Sequence, residues 1–98
     1  MPLPNDGLIK LAEECGELVQ AAMKRITCSD ETHWDGSNLK ERLEDEIADV
    51  MAASSIVTAN LHLDQERMIE RSKQKIALFT YWQGGGKDPK LKKKKNAL

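Results

Sequence analysis

Three stretches of this chain repeat apolar residues every three or four positions, the period of a helix buried along one side. The first predicts a helix over residues 7–26, capped by Asn5 or Asp6, with a stripe of Leu8, Leu11, Cys15, Leu18, Val19, Ala22 and Ile26. The second predicts a helix from Ser37 or Asn38 to about residue 61, turning Leu39, Leu43, Ile47, Val50, Met51, Ser54 and Val57 one way. The third, after the joint Leu61-His62-Leu63 and an Asp64 cap, runs over residues 65–82 with Met68, Ile69, Ser72, Ile76 and Phe79 inward, and Gly84 to Gly86 end it. Residues 27–37 have turn formers and no usable period, so they read as a loop. It holds Trp34, which in a polar loop is either a lid over the core or a platform for a ligand ring.

Aromatics make up only 4% of the chain, so the core must be aliphatic, which favours helices over sheets. The expected fold class is all-α, an antiparallel bundle of three to four helices. With 98 residues the chain makes one small domain, residues 1–86, whose core calls for help from a partner subunit. Residues 87–98 hold six lysines and one aspartate and read as a solvated, disordered tail. Without them the chain has nine bases and fifteen acids, a balance that argues against nucleic acid as a partner.

Cys15 and Cys28 lack CxxC spacing, and with only His33 and His62 available they form no zinc set. Cys15 lies on the apolar stripe and reads as buried. No leader-like start and no apolar run near 18 residues is present, so the expected location is cytoplasmic, away from membranes.

Acids change the picture. Glu13-Glu14-Cys15-Gly16-Glu17 falls on the first helix and Glu44-Asp45-Glu46-Ile47-Ala48-Asp49 on the second. Glu14 and Glu17, like Glu46 and Asp49, stand one turn apart. Each same-sign pair at such spacing costs a helix about 0.2–0.5 kcal/mol, and Gly16 adds roughly 1 kcal/mol relative to alanine. Glycine there permits close approach of a backbone or ligand. Most acidic clusters are only solvated faces, but two broken local rules in one turn suggest a site. Two facing pairs of carboxylates suit Mg²⁺, which is usually held by a few carboxylates, waters and substrate phosphates.

Further polar residues accompany the acids. Asn60 shares a face with Glu46, Asp49 and Ala53, where it either ends the helix or meets the far end of an extended ligand. Arg67, Arg71 and Lys75 line one edge of the third helix. Solvation and pairing with Glu66 and Glu70 explain them simply; meeting phosphates is the functional alternative.

With both clusters on helices, the chain resembles the MazG-like all-α nucleoside triphosphate pyrophosphohydrolases. The family's ExxE on one helix and ExxD on the next read here as Glu14-Cys15-Gly16-Glu17 and Glu46-Ile47-Ala48-Asp49. The words around them, Leu11-Ala12-Glu13-Glu14 through Leu18 and Asp45-Glu46 through Val50, look like the family's two motifs, and the likeness covers roughly residues 8–82. The resemblance implies a helical fold assembled as a homodimer or homotetramer, and hydrolysis of a nucleoside triphosphate to a monophosphate and pyrophosphate. It implies Mg²⁺, with Mn²⁺ as a substitute, held by Glu14, Glu17, Glu46 and Asp49. Glu13 would orient or deprotonate the attacking water, and Asn60, Arg71 and Lys75 would contact the substrate. Apart from the resemblance, Trp34, His33 or Tyr81 is available to stack on a base, a contact tolerant of base identity.

Three rivals remain. A di-iron carboxylate bundle wants Glu-x-x-His on two helices, a spacing this chain lacks. A non-catalytic helical interaction module would leave the same acids facing solvent. A phosphoribosyl-ATP pyrophosphohydrolase has similar size and fold, although Gly16-Glu17-Leu18 and Ile47-Ala48-Asp49-Val50 look more MazG-like.

Overall fold

The computed structural model describes residues 2–28 and 38–86, and every regular element in them is helical. A short 3₁₀ turn, Pro4–Gly7, leads into α1 (Leu8–Thr27); α2 (Leu39–Asn60) and α3 (Gln65–Gln83) follow. Trp34 and the lysine-rich tail lie outside the described residues. No helix among the described residues is long and apolar enough to cross a membrane.

Local chemistry sets the boundaries. Asn38 caps α2 and Asp64 caps α3, each side-chain oxygen accepting a 3.0 Å bond from the backbone N–H three residues on, Glu41 and Arg67. Past Gln83, Gly85 (φ 81°) and Gly86 (φ 83°) turn left-handed, and Gly86 N–H returns to Tyr81 O at 3.0 Å. The start of α1 departs from expectation. Neither Asn5 nor Asp6 caps it; both adopt left-handed backbone (φ 52° and 58°), and Gly7 (φ 89°) occupies the cap position. Three successive residues of positive φ make a strap that folds back over the end of α2. Asn60 holds it there, its Nδ2 donating to Asp6 O at 3.0 Å.

The chain divides into two compact units, Met1–Leu63 and Asp64–Leu98, at the Leu61–Leu63 joint. In the first, α1 and α2 pack antiparallel: Gly7 lies against Ile56 and Val57, and Glu14 shares a cleft with Asp49. The track of α1 that is covered runs through Gly7, Leu11, Glu14, Leu18, Ala21, Arg25 and Cys28, a spacing that averages three and a half residues as in paired helices. On α2 it runs through Leu39, Leu43, Glu46, Val50, Ala53 and Val57. Among the described residues Leu39, Val57, Ala21 and Ala53 are the buried apolar ones, Leu39 completely so.

The apolar stripe of α1 is therefore wider than α2 can cover. The seam lies to one side of the expected stripe, towards Glu14, and leaves Leu8, Cys15, Val19 and Ile26 in the open. Val19 is 62% and Ile26 73% exposed, and Cys15, expected to be buried, is exposed as well. On α2, Ile47 and Met51 are left out in the same way. At 100° per residue, Val19, Ile26, Ile47 and Met51 all fall on one side of the hairpin, and Lys10, Glu17, Asp49 and Ile56 on the other.

The second unit is described by α3 alone, which has no buried residue. Met68, Ile69, Ser72, Ile76 and Phe79, expected to face inward, are exposed. Phe79 and Trp82 stack obliquely at 5.5 Å, and Lys75 Nζ lies 5.9 Å from the Phe79 ring centre.

Candidate metal centre

Antiparallel pairing sets the acids of α1 beside those of α2. Glu14, Glu17 and Glu46 each offer a carboxylate oxygen, and these oxygens lie within 4.8 Å of one another. Asp49 belongs to the same field: its charge bears on both Glu14 and Glu46, and it shares a cleft with Glu14. Glu14 and Glu46 sit in the seam and are half-buried, whereas Glu17 and Asp49 lie at its edge and are exposed.

Position in the seam has an electrostatic consequence. Burial pushes the Glu14 carboxyl above the usual carboxylate range, the Glu17 and Asp49 charges push it further, and Lys10 pulls it back. Burial likewise raises Glu46, followed by the charges of Glu17 and Asp49. Glu14 Oε2 and Glu46 Oε2 are both buried without a hydrogen-bond partner. Native folds seldom leave such atoms unpaired, because each forfeits its hydration. A divalent cation fits this donor set: it takes carboxylate oxygens, and its charge would offset the burial and the repulsion that raise both groups.

Lys10 is the residue that sequence reasoning missed. One turn before the acids, its Nζ donates to Glu13 Oε2 at 3.1 Å and lies 4.0 Å from Glu14 Oε1. The bond to Glu13 is the main reason that its pKa is raised, with the Glu13 charge next. The signal was present as a lysine three and four residues before two glutamates, the spacing that relieves like-charge repulsion on a helix. Glu13, the candidate base, is exposed and engaged by Lys10. Gly16 leaves its surroundings open, with no described atom within 4 Å of where a Cβ would stand. No described part of this chain makes a close approach there.

Beside the acids lies a cleft of about 310 Å³. Leu3 of the strap, Lys10, and Ala52, Ala53 and Ile56 of α2 line it, and Glu14 and Asp49 close one end. Asn60 stands past its other end, committed to the strap. Arg71 and Lys75 belong to the second unit, where Arg67, Glu70, Arg71 and Gln74 line a shallow hollow of about 320 Å³. Comparison with protein-family models, curated proteins and solved structures returns no match.

Proposed function

We propose that this protein is a Mg²⁺-dependent nucleoside triphosphate pyrophosphohydrolase of the MazG-like type, cleaving ribo- or deoxynucleoside triphosphates to the monophosphate and pyrophosphate. The observation that carries the reading is the pair of buried, unpartnered oxygens on Glu14 and Glu46, with Glu17 in reach, in a chain whose acids are ordered ExxE then ExxD. In this reading Glu14, Glu17, Glu46 and Asp49 hold the cation, for which Mn²⁺ substitutes. A triphosphate brings about four negative charges, so carboxylates alone would repel it; bound Mg²⁺ supplies the neutralising charge and polarises phosphorus and a water. Glu13 accepts the proton of the attacking water at the oxygen that now receives the Lys10 bond. Arg71 and Lys75, with Trp34 of the segment joining α1 to α2, are the further substrate contacts proposed. The open apolar side of the hairpin supports assembly into a homodimer or homotetramer, since an aliphatic face of this extent gains by being covered.

Pyrophosphate release from a panel of triphosphates, in Mg²⁺ and in EDTA, with the nucleotide product separated by chromatography, tests the proposal. Monophosphate formed only with metal is the expected result. Phosphoribosyl-ATP belongs in the panel, because turnover of it alone would move the assignment to histidine synthesis. The same open apolar side favours a second reading, a non-catalytic interaction module, and silence across the whole panel would select it.

A further inference from the structure

We infer that the cleft beside the acids seats the base-and-sugar end of the triphosphate, and that Lys10 turns from Glu13 to a phosphate when substrate is bound. The inference rests on the pyrophosphohydrolase reading and adds to it a binding surface in the first unit alone. Its lining changes along α2 from acidic to apolar. Glu14 and Asp49 stand at one end, next to the candidate cation site, while Leu3 and Ile56 form the other. Asp49 and Ile56 are seven residues apart on α2, about 10 Å at 1.5 Å per residue, the order of the distance from a phosphate across a sugar to a base. Between them Ala52 and Ala53 keep the floor low, so a flat group can lie on the helix. The volume is at the lower end of the range of roughly 300–1,000 Å³ that holds small molecules.

The apolar wall is held in place. Gly7 packs so tightly that a Cβ there would stand 3.3 Å from Ile56 Cγ2, and Leu3 Cδ1 lies 3.7 Å from the same point. With Asn60 gripping Asp6 O, the strap is fixed at both the backbone and the Leu3 side chain. Strained backbone that is held this way collects at ligand clamps. Among the described residues Lys10 is the basic side chain on the cleft, and its partner Glu13 is exposed, so water can replace the bond at little cost. Among the described residues, the apolar end presents no side-chain hydrogen-bond group to a base edge. Recognition by size and shape follows, with little power to tell bases of equal size apart.

The test is equilibrium binding by calorimetry in Mg²⁺, using α,β-methylene analogues of UTP, CTP and ATP, which the proposed reaction cannot cleave, and inorganic tripolyphosphate, which has no base. Ala52→Leu fills the cleft from an exposed helical position without lowering helix propensity. It should weaken all three nucleotide analogues by about 10-fold or more and leave tripolyphosphate and the circular dichroism spectrum unchanged. Lys10→Gln should weaken nucleotides and tripolyphosphate alike. The UTP and CTP analogues, equal in size but opposite in hydrogen-bond pattern, should bind wild type within about 10-fold of each other. Unchanged nucleotide affinity in Ala52→Leu, or an equal loss for tripolyphosphate, overturns the cleft assignment. Analogues that bind as expected while authentic triphosphates survive intact would instead sink the pyrophosphohydrolase reading and leave the cleft standing.

Discussion

Glu14 on α1 and Glu46 on α2 meet across the helix seam, each with one buried oxygen that nothing hydrogen-bonds. Helix pairs ordinarily fill such positions with leucine or valine. Two glutamates there lower stability unless protons or a cation share the site. The substitution Glu14→Gln should therefore leave the helices intact and raise the melting temperature of metal-free protein, since one of the repelling charges is gone. On the proposed function the same variant should lose about 100-fold or more in turnover. A variant that melts lower than wild type in EDTA would contradict the repulsion, and one that keeps full activity would remove Glu14 from the metal set.

Stability should also depend on pH with a definite sign. Glu14 and Glu46 are raised in the folded state above the ordinary value of about 4.3. Between the ordinary and the raised values the folded chain binds more protons than the unfolded one, so stability falls as pH rises through that window and levels off above it. Below it both states are protonated and these groups contribute nothing against the fold. Melting curves in EDTA from acid to neutral pH, for wild type and the Glu14→Gln/Glu46→Gln double variant, isolate the effect. The double variant should gain on wild type as pH rises, and Mg²⁺ at neutral pH should return the difference by binding only the folded wild type. A gap that does not change with pH would show that neither burial nor the neighbouring charges raises the two carboxyls in the folded state.

The strap offers a test that involves no charge. Gly7 combines φ 89° with a Cβ position 3.3 Å from Ile56 Cγ2, so Gly7→Ala meets both backbone strain and a crowded neighbour. A loss of about 1–3 kcal/mol is expected from chemical denaturation. Asn60→Ala should cost about 1 kcal/mol, since it removes only the bond to Asp6 O. Equal stabilities for wild type and Gly7→Ala would mean that the strap is not part of the packed unit.

The sequence disclosed elements more readily than faces. Asn38 and Asp64 announce their helices because a cap is a local interaction, complete within four residues. The clustering of the acids is legible for a similar reason, since Glu14 and Glu17 are fixed neighbours on any helix. Which side of α1 would be covered was not, because Val19 and Ile26 look as apolar as Leu11 and Leu18, and only the partner helix decides between them. The left-handed strap was also hidden: Asn5 and Asp6 are good caps by composition, and what prevents that role is a long-range contact with Asn60. Lys10 is not legible by itself, because its place depends on its bond to Glu13 and its nearness to Glu14, which only the structure shows.

Val19 and Ile26 on α1 and Ile47 and Met51 on α2 give the hairpin an aliphatic side that is exposed, with no described residue of the first unit over it. Among the described residues only a few are buried, and a unit this small gains from a core completed by a partner. A second copy presenting the same side would bury both stripes, a self-complementary contact of the kind that builds two-fold dimers. Light scattering after gel filtration at about 10 µM protein should therefore give at least a dimer, with a melting temperature that rises with concentration. Val19→Glu and Met51→Glu, one on each helix, should each move the protein to the monomer by placing an unpaired charge in the contact. Lys10→Gln, on the opposite side of the hairpin, should leave the mass unchanged. A wild-type protein that stays monomeric and melts cooperatively at every concentration would rule out this face as the contact between copies.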